Sequence, residues 1–355
     1  MVVPHLRQVE GYVPVEPPEA LAAALGLSLE SLVKVDANEN PYGPSPKALE
    51  ALARYQRYHI YPDPFQRRVR QALASYTGFG PEWLLAGAGS DELIDLLARL
   101  FVGPGDRVID LAPTFGMYSV VARVCGGEVV EVARDDEFQV SLESVARSLD
   151  SRVKVIFLTN PNNPSGTLTP METVKGLIET ECLVVVDEAY FEFCDMTCAG
   201  LLREHRNLVV LRTCSKWMGL AGLRLGYGIM DPALVQRLMA IKNPYNVNAA
   251  AEVALVASLE DTDVLQSRVA AIVRERERLH QGLKGLPGVR VWPSWANFVL
   301  CRFPPGEAVR MKETLARLGI IVRYFDRPRL RDCLRFSVGR PEDNDRLLEA
   351  LRKLL

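Results

Sequence analysis

The sequence predicts an α/β protein: a large domain with a mainly parallel sheet covered by helices, joined to a smaller α+β domain. Two patterns and the length predict it. Short Val/Ile/Leu runs alternate with helical periodicity from Pro46 to about Lys242, as strands buried on both faces of a sheet do. After Lys242 long helical segments come first and strands follow, the order of an α+β unit. At roughly 100–200 residues per domain, 355 residues make about two.

Residues 1–45 are rich in proline and turn formers, above all Asn38-Glu39-Asn40-Pro41-Tyr42-Gly43-Pro44. They read as an extended arm with one short helix at 18–25, packing with the small domain. Residues 46–242 form the expected large domain. Its helices fall at 46–58, 64–77 and 91–101, and its strands at 107–111, 128–132, 153–159, 183–187, 208–212 and 225–230. Residues 243–355 form the small domain, with helices at 249–259 and 264–286, strands at 296–302, 320–323 and 333–338, and a last helix at 341–355.

Charge and composition remove several function classes. Lys and Arg number 42 against 44 Asp and Glu, a net charge of −2, which gives no electrostatic case for nucleic acid or a membrane surface. No apolar run approaches the roughly 18–20 residues of a membrane span. The first residues lack the continuous apolar stretch of a signal peptide. Seven cysteines form no CxxC pair and read as reduced core thiols of a cytoplasmic protein. Four scattered histidines offer no metal spacing.

In open parallel sheets, ligands bind beyond the carboxyl ends of the strands. Three successive strands run into Asn160-Pro161-Asn162-Asn163, Asp187-Glu188-Ala189-Tyr190 and Thr213-Cys214-Ser215-Lys216. An amide, a carboxylate with a phenol, and an amine therefore converge on one edge. This set suits pyridoxal phosphate (PLP), which needs a Lys amine for its Schiff base and an acid to keep its ring nitrogen protonated. Lys216 and Asp187 supply these, and Asn163 and Tyr190 can donate to the ring oxygen.

The phosphate needs a cradle. Gly87-Ala88-Gly89-Ser90-Asp91-Glu92 precedes an apolar periodic run, which sets a glycine turn at a helix N-terminus, where free N–H groups attract anions. Ser90 is the N-cap candidate, with Asp91 and Glu92 in the first turn. Thr213, Ser215 and Arg224 can complete the cradle, and Phe115 can stack on the ring. Arg335 lies inside a strand and needs an anion, either a structural carboxylate or a substrate. Arg323, near Arg327, Arg329 and Arg331, reads equally well as part of a solvated basic face.

These residues resemble the fold-type I PLP-dependent aminotransferases, the aspartate aminotransferase superfamily, over nearly the whole chain. Within them the sequence is most similar to the histidinol-phosphate aminotransferases. The likeness runs through Gly11-Tyr12-Val13-Pro14, Ala37-Asn38-Glu39-Asn40-Pro41, Tyr61-Pro62-Asp63, Asn162-Asn163-Pro164-Ser165-Gly166, Asp187-Glu188-Ala189-Tyr190, Ser215-Lys216, Gly222-Leu223-Arg224-Leu225-Gly226, Asn243-Pro244-Tyr245-Asn246-Val247-Asn248, Ala296-Asn297-Phe298 and Leu334-Arg335-Phe336. Phe115 stands where this subfamily often has Tyr, and Ser165 where the superfamily usually has Thr.

The resemblance implies a Schiff base on Lys216, Asp187 on the pyridine nitrogen, and Asn163 and Tyr190 on the ring oxygen. It implies phosphate held by Ser90, the Asp91 backbone, Thr213, Ser215 and Arg224, with Tyr61 reaching in from the second subunit of a homodimer. Arg335 would take the donor's carboxylate, while Tyr12 and Arg323 would help to hold the phosphate end of histidinol phosphate. The reaction implied passes an amino group between a small-molecule amino donor and a keto acceptor.

Rival readings have less support. Leu183-Val184-Val185-Val186-Asp187-Glu188 mimics a Walker B strand, but the chain has no GxxxxGK[ST]. A dinucleotide fold lacks its third glycine, since Glu92 stands there. A non-catalytic binding protein on this fold needs neither Lys216 nor Asp187. Threonine-phosphate decarboxylase and aromatic amino-acid aminotransferase share the cofactor residues and remain the alternatives within PLP chemistry.

Overall fold

A computed structural model describes residues 1–9 and 11–355. The first strand, β1 (Val33–Val35), is followed by seven that build one sheet: β2 (Leu84–Gly87), β3 (Arg107–Asp110), β4 (Glu128–Glu131), β5 (Val153–Thr159), β6 (Leu183–Asp187), β7 (Leu208–Thr213) and β8 (Gly226–Met230). Their order is β2-β8-β7-β6-β5-β3-β4, parallel except that β8 runs antiparallel to both neighbours. The remaining strands are β9 (Arg290–Val291), β10 (Phe298–Arg302), β11 (Ile320–Tyr324) and β12 (Cys333–Ser337). With β1 they form a mixed five-stranded sheet in the order β1-β11-β12-β10-β9.

The larger sheet is apolar on both faces, and side-chain alternation explains why. Val184 and Val186 of β6 enter one core cluster while Leu183 and Val185 enter another. Ile156 and Leu158 of β5 separate from Val155 and Phe157 in the same way. The first cluster continues into the smaller sheet through Phe298, Val322, Leu334 and Phe336, so one core joins the two sheets. A second tie is Phe138, in the loop after β4. It is buried and sits T-shaped on Trp292 at 5.0 Å, against Leu300, Leu330 and Cys333.

Several boundaries differ from the expected ones. The helix expected over 46–58 ends at Arg54, and Tyr58 folds back to donate its hydroxyl to the Leu52 carbonyl. The helix expected from 64 starts at Arg67, because Asp63 accepts from the backbone N–H of Phe65 and Arg67 and forms the turn in front of it. The N-terminal arm divides between the two layers. Its β1 pairs with β11 in the smaller sheet, whereas the 3-10 turn Pro4–Gln8 lies against helix Met117–Val124 of the larger layer.

Candidate active site

The ends of β5, β6 and β7 lie level. Thr159 is in register with Asp187, and Asp187 with Leu211. A cavity of about 340 Å³ opens there. It is lined by Asn163, Asp187, Tyr190 and Lys216 from the three strand ends, and by Arg335 from β12. Local sequence sets this convergence: each strand carries a run of apolar residues and then passes into buried polar ones, Thr159 and Asn160, Asp187 and Glu188, Thr213 and Ser215.

Asp187, Lys216 and Arg335 share this cavity with no opposite charge in contact. Among the described residues, no cation lies within 4 Å of the Asp187 carboxylate, and no carboxylate within 4 Å of Lys216 or Arg335. The carboxylate of Asp36, whose carbonyl accepts from Arg335, pairs with Lys34 at 2.8 Å instead. Arg335 is left with the Asp36 carbonyl and Asn163 Oδ1, both at 2.6 Å, and a buried Nε without a partner. The structural-carboxylate reading of Arg335 therefore fails. Among the described residues, Lys216 Nζ donates only to the Ala37 carbonyl, at 3.1 Å.

Burial shifts every one of these groups toward neutrality. It pushes Asp187 up to about 6, against the hydrogen bond from Tyr118. Burial, with the Arg335 charge behind it, brings Lys216 down to about 8. Arg335 falls to about 10 through burial. Tyr190 rises to about 12 from burial, with the Arg335 charge opposing.

The glycine turn and helix Ser90–Phe101 form the opposite wall. The N-cap is Gly89, at φ +82°, and Ser90 is the first helical residue, without a side-chain capping bond. The expected Ser90 cap is corrected: a left-handed backbone at this position suits glycine, and Ser90 is freed to face the cavity. Gly226 permits the close approach, since a Cβ there would stand 2.3 Å from the Ser90 nitrogen. Thr213, Ser215, Asp91 and Arg224 also line the cavity, with Arg224 bonded to Asp91 at 2.8 Å.

Glu92 does not line it. Its Oε2 accepts from the Ala88 N–H at 2.6 Å and from Asn246 Nδ2 at 2.7 Å, so it holds the turn from beneath. Tyr61 does not line it either. It is 78% exposed and stacks on Tyr245 at 4.5 Å. At the mouth, Tyr12 lies 5.7 Å from Phe115, and Arg323 donates to the Val13 carbonyl at 2.9 Å. Ser165, in place of the usual Thr, keeps its hydroxyl in use between Asn162 Nδ2 and Thr167.

Sequence reasoning missed Asn38, whose Nδ2 donates to the Tyr190 hydroxyl at 3.0 Å. It missed Tyr118, whose hydroxyl donates to Asp187 Oδ2 at 2.7 Å. Asn38 lies in the motif Ala37-Asn38-Glu39-Asn40-Pro41 and carries a signal. Tyr118, 69 residues from its partner, carried none.

The donor set fits PLP: a buried carboxylate, a part-buried amine of lowered basicity, and hydroxyls and N–H groups at a helix start beside a guanidinium. Among the described residues, no cluster of His, Cys, Asp and Glu could hold a metal ion, no helix is long and apolar enough to cross a membrane, and the seven cysteines are all free.

Comparison with known proteins agrees. Residues 30–351 match the family described as aminotransferase class I and II. The chain is 51% identical to a histidinol-phosphate aminotransferase of Roseiflexus castenholzii, covering 99% of this chain and 97% of that one. It is 44% identical to the chloroplastic histidinol-phosphate aminotransferase of Nicotiana tabacum, covering 98% and 85%. The histidinol-phosphate aminotransferase of Sinorhizobium meliloti, solved in complex with pyridoxal-5'-phosphate, superposes with a TM-score of 0.91 at 28% identity, covering 99% and 97%.

Proposed function

The chain belongs to the aminotransferase class I and II family, and on that premise we propose that it exchanges amino groups between histidinol phosphate and 2-oxoglutarate, giving imidazole-acetol phosphate and glutamate, in histidine biosynthesis. One observation carries the reading: Asp187 and Arg335 are buried and Lys216 is part-buried around one cavity, and none of the three has an opposite charge in contact among the described residues. Isolated buried charge is costly, so such a set fits a ligand that brings a cationic ring nitrogen, a carbonyl and a carboxylate. Bound PLP supplies an electron-poor ring that takes up the electron pair released at the substrate's α-carbon.

Hydrogen-bond inventory supports the individual roles. The Tyr190 oxygen accepts from Asn38, so its own proton is free to donate to the ring oxygen. Asn163 Oδ1 accepts from Arg335, which leaves Nδ2 to donate to the same oxygen. Lys216 anchors the cofactor and afterwards moves the proton, a task that suits an amine near the operating pH. Asp187 keeps the ring nitrogen protonated. Arg335 binds the glutamate carboxylate, and Tyr12 with Arg323 meets the substrate phosphate. Ser90, the Asp91 N–H, Thr213, Ser215 and Arg224 hold the cofactor phosphate. Tyr61 enters from the second subunit of a homodimer. Seven free thiols are compatible with a cytoplasmic setting.

The test mixes single amino compounds with the PLP-loaded protein and follows the cofactor's absorption. Histidinol phosphate and glutamate are expected to change the spectrum, with tyrosine and phenylalanine slower. Equal rates for all four would end the substrate assignment. In Lys216→Ala, both the visible band and turnover should vanish; a variant keeping both would end the cofactor assignment.

A further inference from the structure

At the wall of the cavity, which Thr159 lines, runs a line of hydroxyls that the proposed roles do not use. Tyr118 Oη lies 2.7 Å from Asp187 Oδ2 and 2.8 Å from Thr159 Oγ1, and Thr159 Oγ1 lies 2.9 Å from Thr114 Oγ1. Tyr118 is completely buried, its ring stacked on Phe157 at 4.7 Å and edge-on to Phe115 at 5.6 Å. The direction of the line follows from proton counting. An ionised carboxylate has no proton to give, so Tyr118 donates to Asp187. Its single proton being spent, its oxygen accepts from Thr159, whose oxygen then accepts from Thr114. Every proton points toward Asp187.

That polarity has a chemical consequence. Burial favours the uncharged acid at Asp187, and the bonds opposing it are the Tyr118 hydroxyl and the Ala189 N–H at 3.1 Å. The hydroxyl bond is the shorter, and donation to a carboxylate is among the stronger hydrogen bonds. Neighbouring bonds in a line polarise one another. The line also ties together the segment of Phe115, the end of β5 that leads into Asn163, and the end of β6.

We propose that the Thr114–Thr159–Tyr118 hydroxyl line keeps Asp187 ionised and fixed toward the cofactor's ring nitrogen, with Tyr118 as the positioning residue that acts through Asp187. This rests on the PLP reading. It separates from a packing role because only a ligand carrying the ring nitrogen feels it.

The probes are PLP and its 1-deaza analogue, in which CH replaces the ring nitrogen; binding to the cofactor-free protein is read from quenching of intrinsic fluorescence. Tyr118→Phe, which retains the stacked ring, is expected to weaken PLP about ten- to a hundredfold, the range of a hydrogen bond to a charged group. Its affinity for the deaza analogue should stay at the wild-type value. Thr114→Val, which leaves Tyr118 in place, should give a smaller loss with the same selectivity. Equal losses for both ligands, or none for either, would overturn the inference while leaving the PLP reading intact. A wild-type protein that fails to bind PLP would overturn both.

Discussion

Lys216 holds its amine where burial and the Arg335 guanidinium both disfavour charge, while Glu39 and Asp91 favour it and Arg224 again opposes. The sum brings the amine down to about 8. Only the neutral amine attacks a carbonyl, so the sign is fixed. Below about pH 8 the neutral fraction falls tenfold per pH unit, and above it the fraction saturates. The rate of PLP capture by the cofactor-free protein should therefore rise about tenfold between pH 6 and 7 and level off above pH 8. An ordinary lysine near 10.4 would keep the rate rising to pH 10. Rapid-mixing absorbance measures it. Arg335→Leu removes a cation from beside the amine, so the plateau should move to higher pH. The same variant should bind glutamate far more weakly than it loses PLP; equal losses would mean that Arg335 serves the fold rather than the substrate.

Two elements approach closely at Gly226, where β8 passes the start of helix Ser90–Phe101. A Cβ at Gly226 would fall 2.3 Å from the Ser90 nitrogen, 2.7 Å from the Gly89 carbonyl carbon and 3.0 Å from the Arg212 oxygen. All three are backbone atoms and cannot swing aside. Gly226→Ala should push the helix start away from β8, cost about 1–3 kcal/mol as other overpacking does, and weaken binding of inorganic phosphate, a probe of the proposed cradle alone. Urea unfolding and phosphate titration read the two effects. How legible such elements were depended on where their signals lay. β5 and β6 run over the expected residues and β7 ends one residue later, because buried parallel strands write predominantly apolar runs. Their ends carried the site, so Lys216, Asp187 and Asn163 were readable from local sequence. The three-residue β1 and four-residue β2 are too short to show a period. Helix Met117–Val124 hid because its valines favour strand, and Tyr118 hid within it. The Phe138 clasp is silent in sequence for another reason: Trp292 and Leu330 reach it only through the folded chain.

At the scale of the molecule, one proposed site residue stands away from the cavity. Tyr61 is 78% exposed and stacked on Tyr245, itself 47% exposed. Tyr58, Ile60 and Phe65 extend this apolar surface on the same segment. Asn246, next to Tyr245, bonds to Glu92 and the Ala86 carbonyl under the phosphate turn, which brings the patch close to the cradle without turning Tyr61 into it. An exposed aromatic patch of this kind suits an interface, and a two-fold dimer presents it to an identical patch. If Tyr61 completes the partner's cradle, the two defects Lys216→Ala and Tyr61→Ala complement each other. Each variant alone should be nearly inactive. In a mixed dimer, the site with intact Lys216 receives Tyr61 from the other subunit, while the second site carries both defects. Random re-pairing of equal amounts makes half the dimers mixed, each with one sound site of two, so activity should recover to about one quarter of wild type. Tyr61 is exposed in the single chain, so its removal should leave the subunit fold intact. Mixing that restores nothing, although light scattering shows re-paired dimers, would return Tyr61 to the surface of its own subunit and remove it from the site.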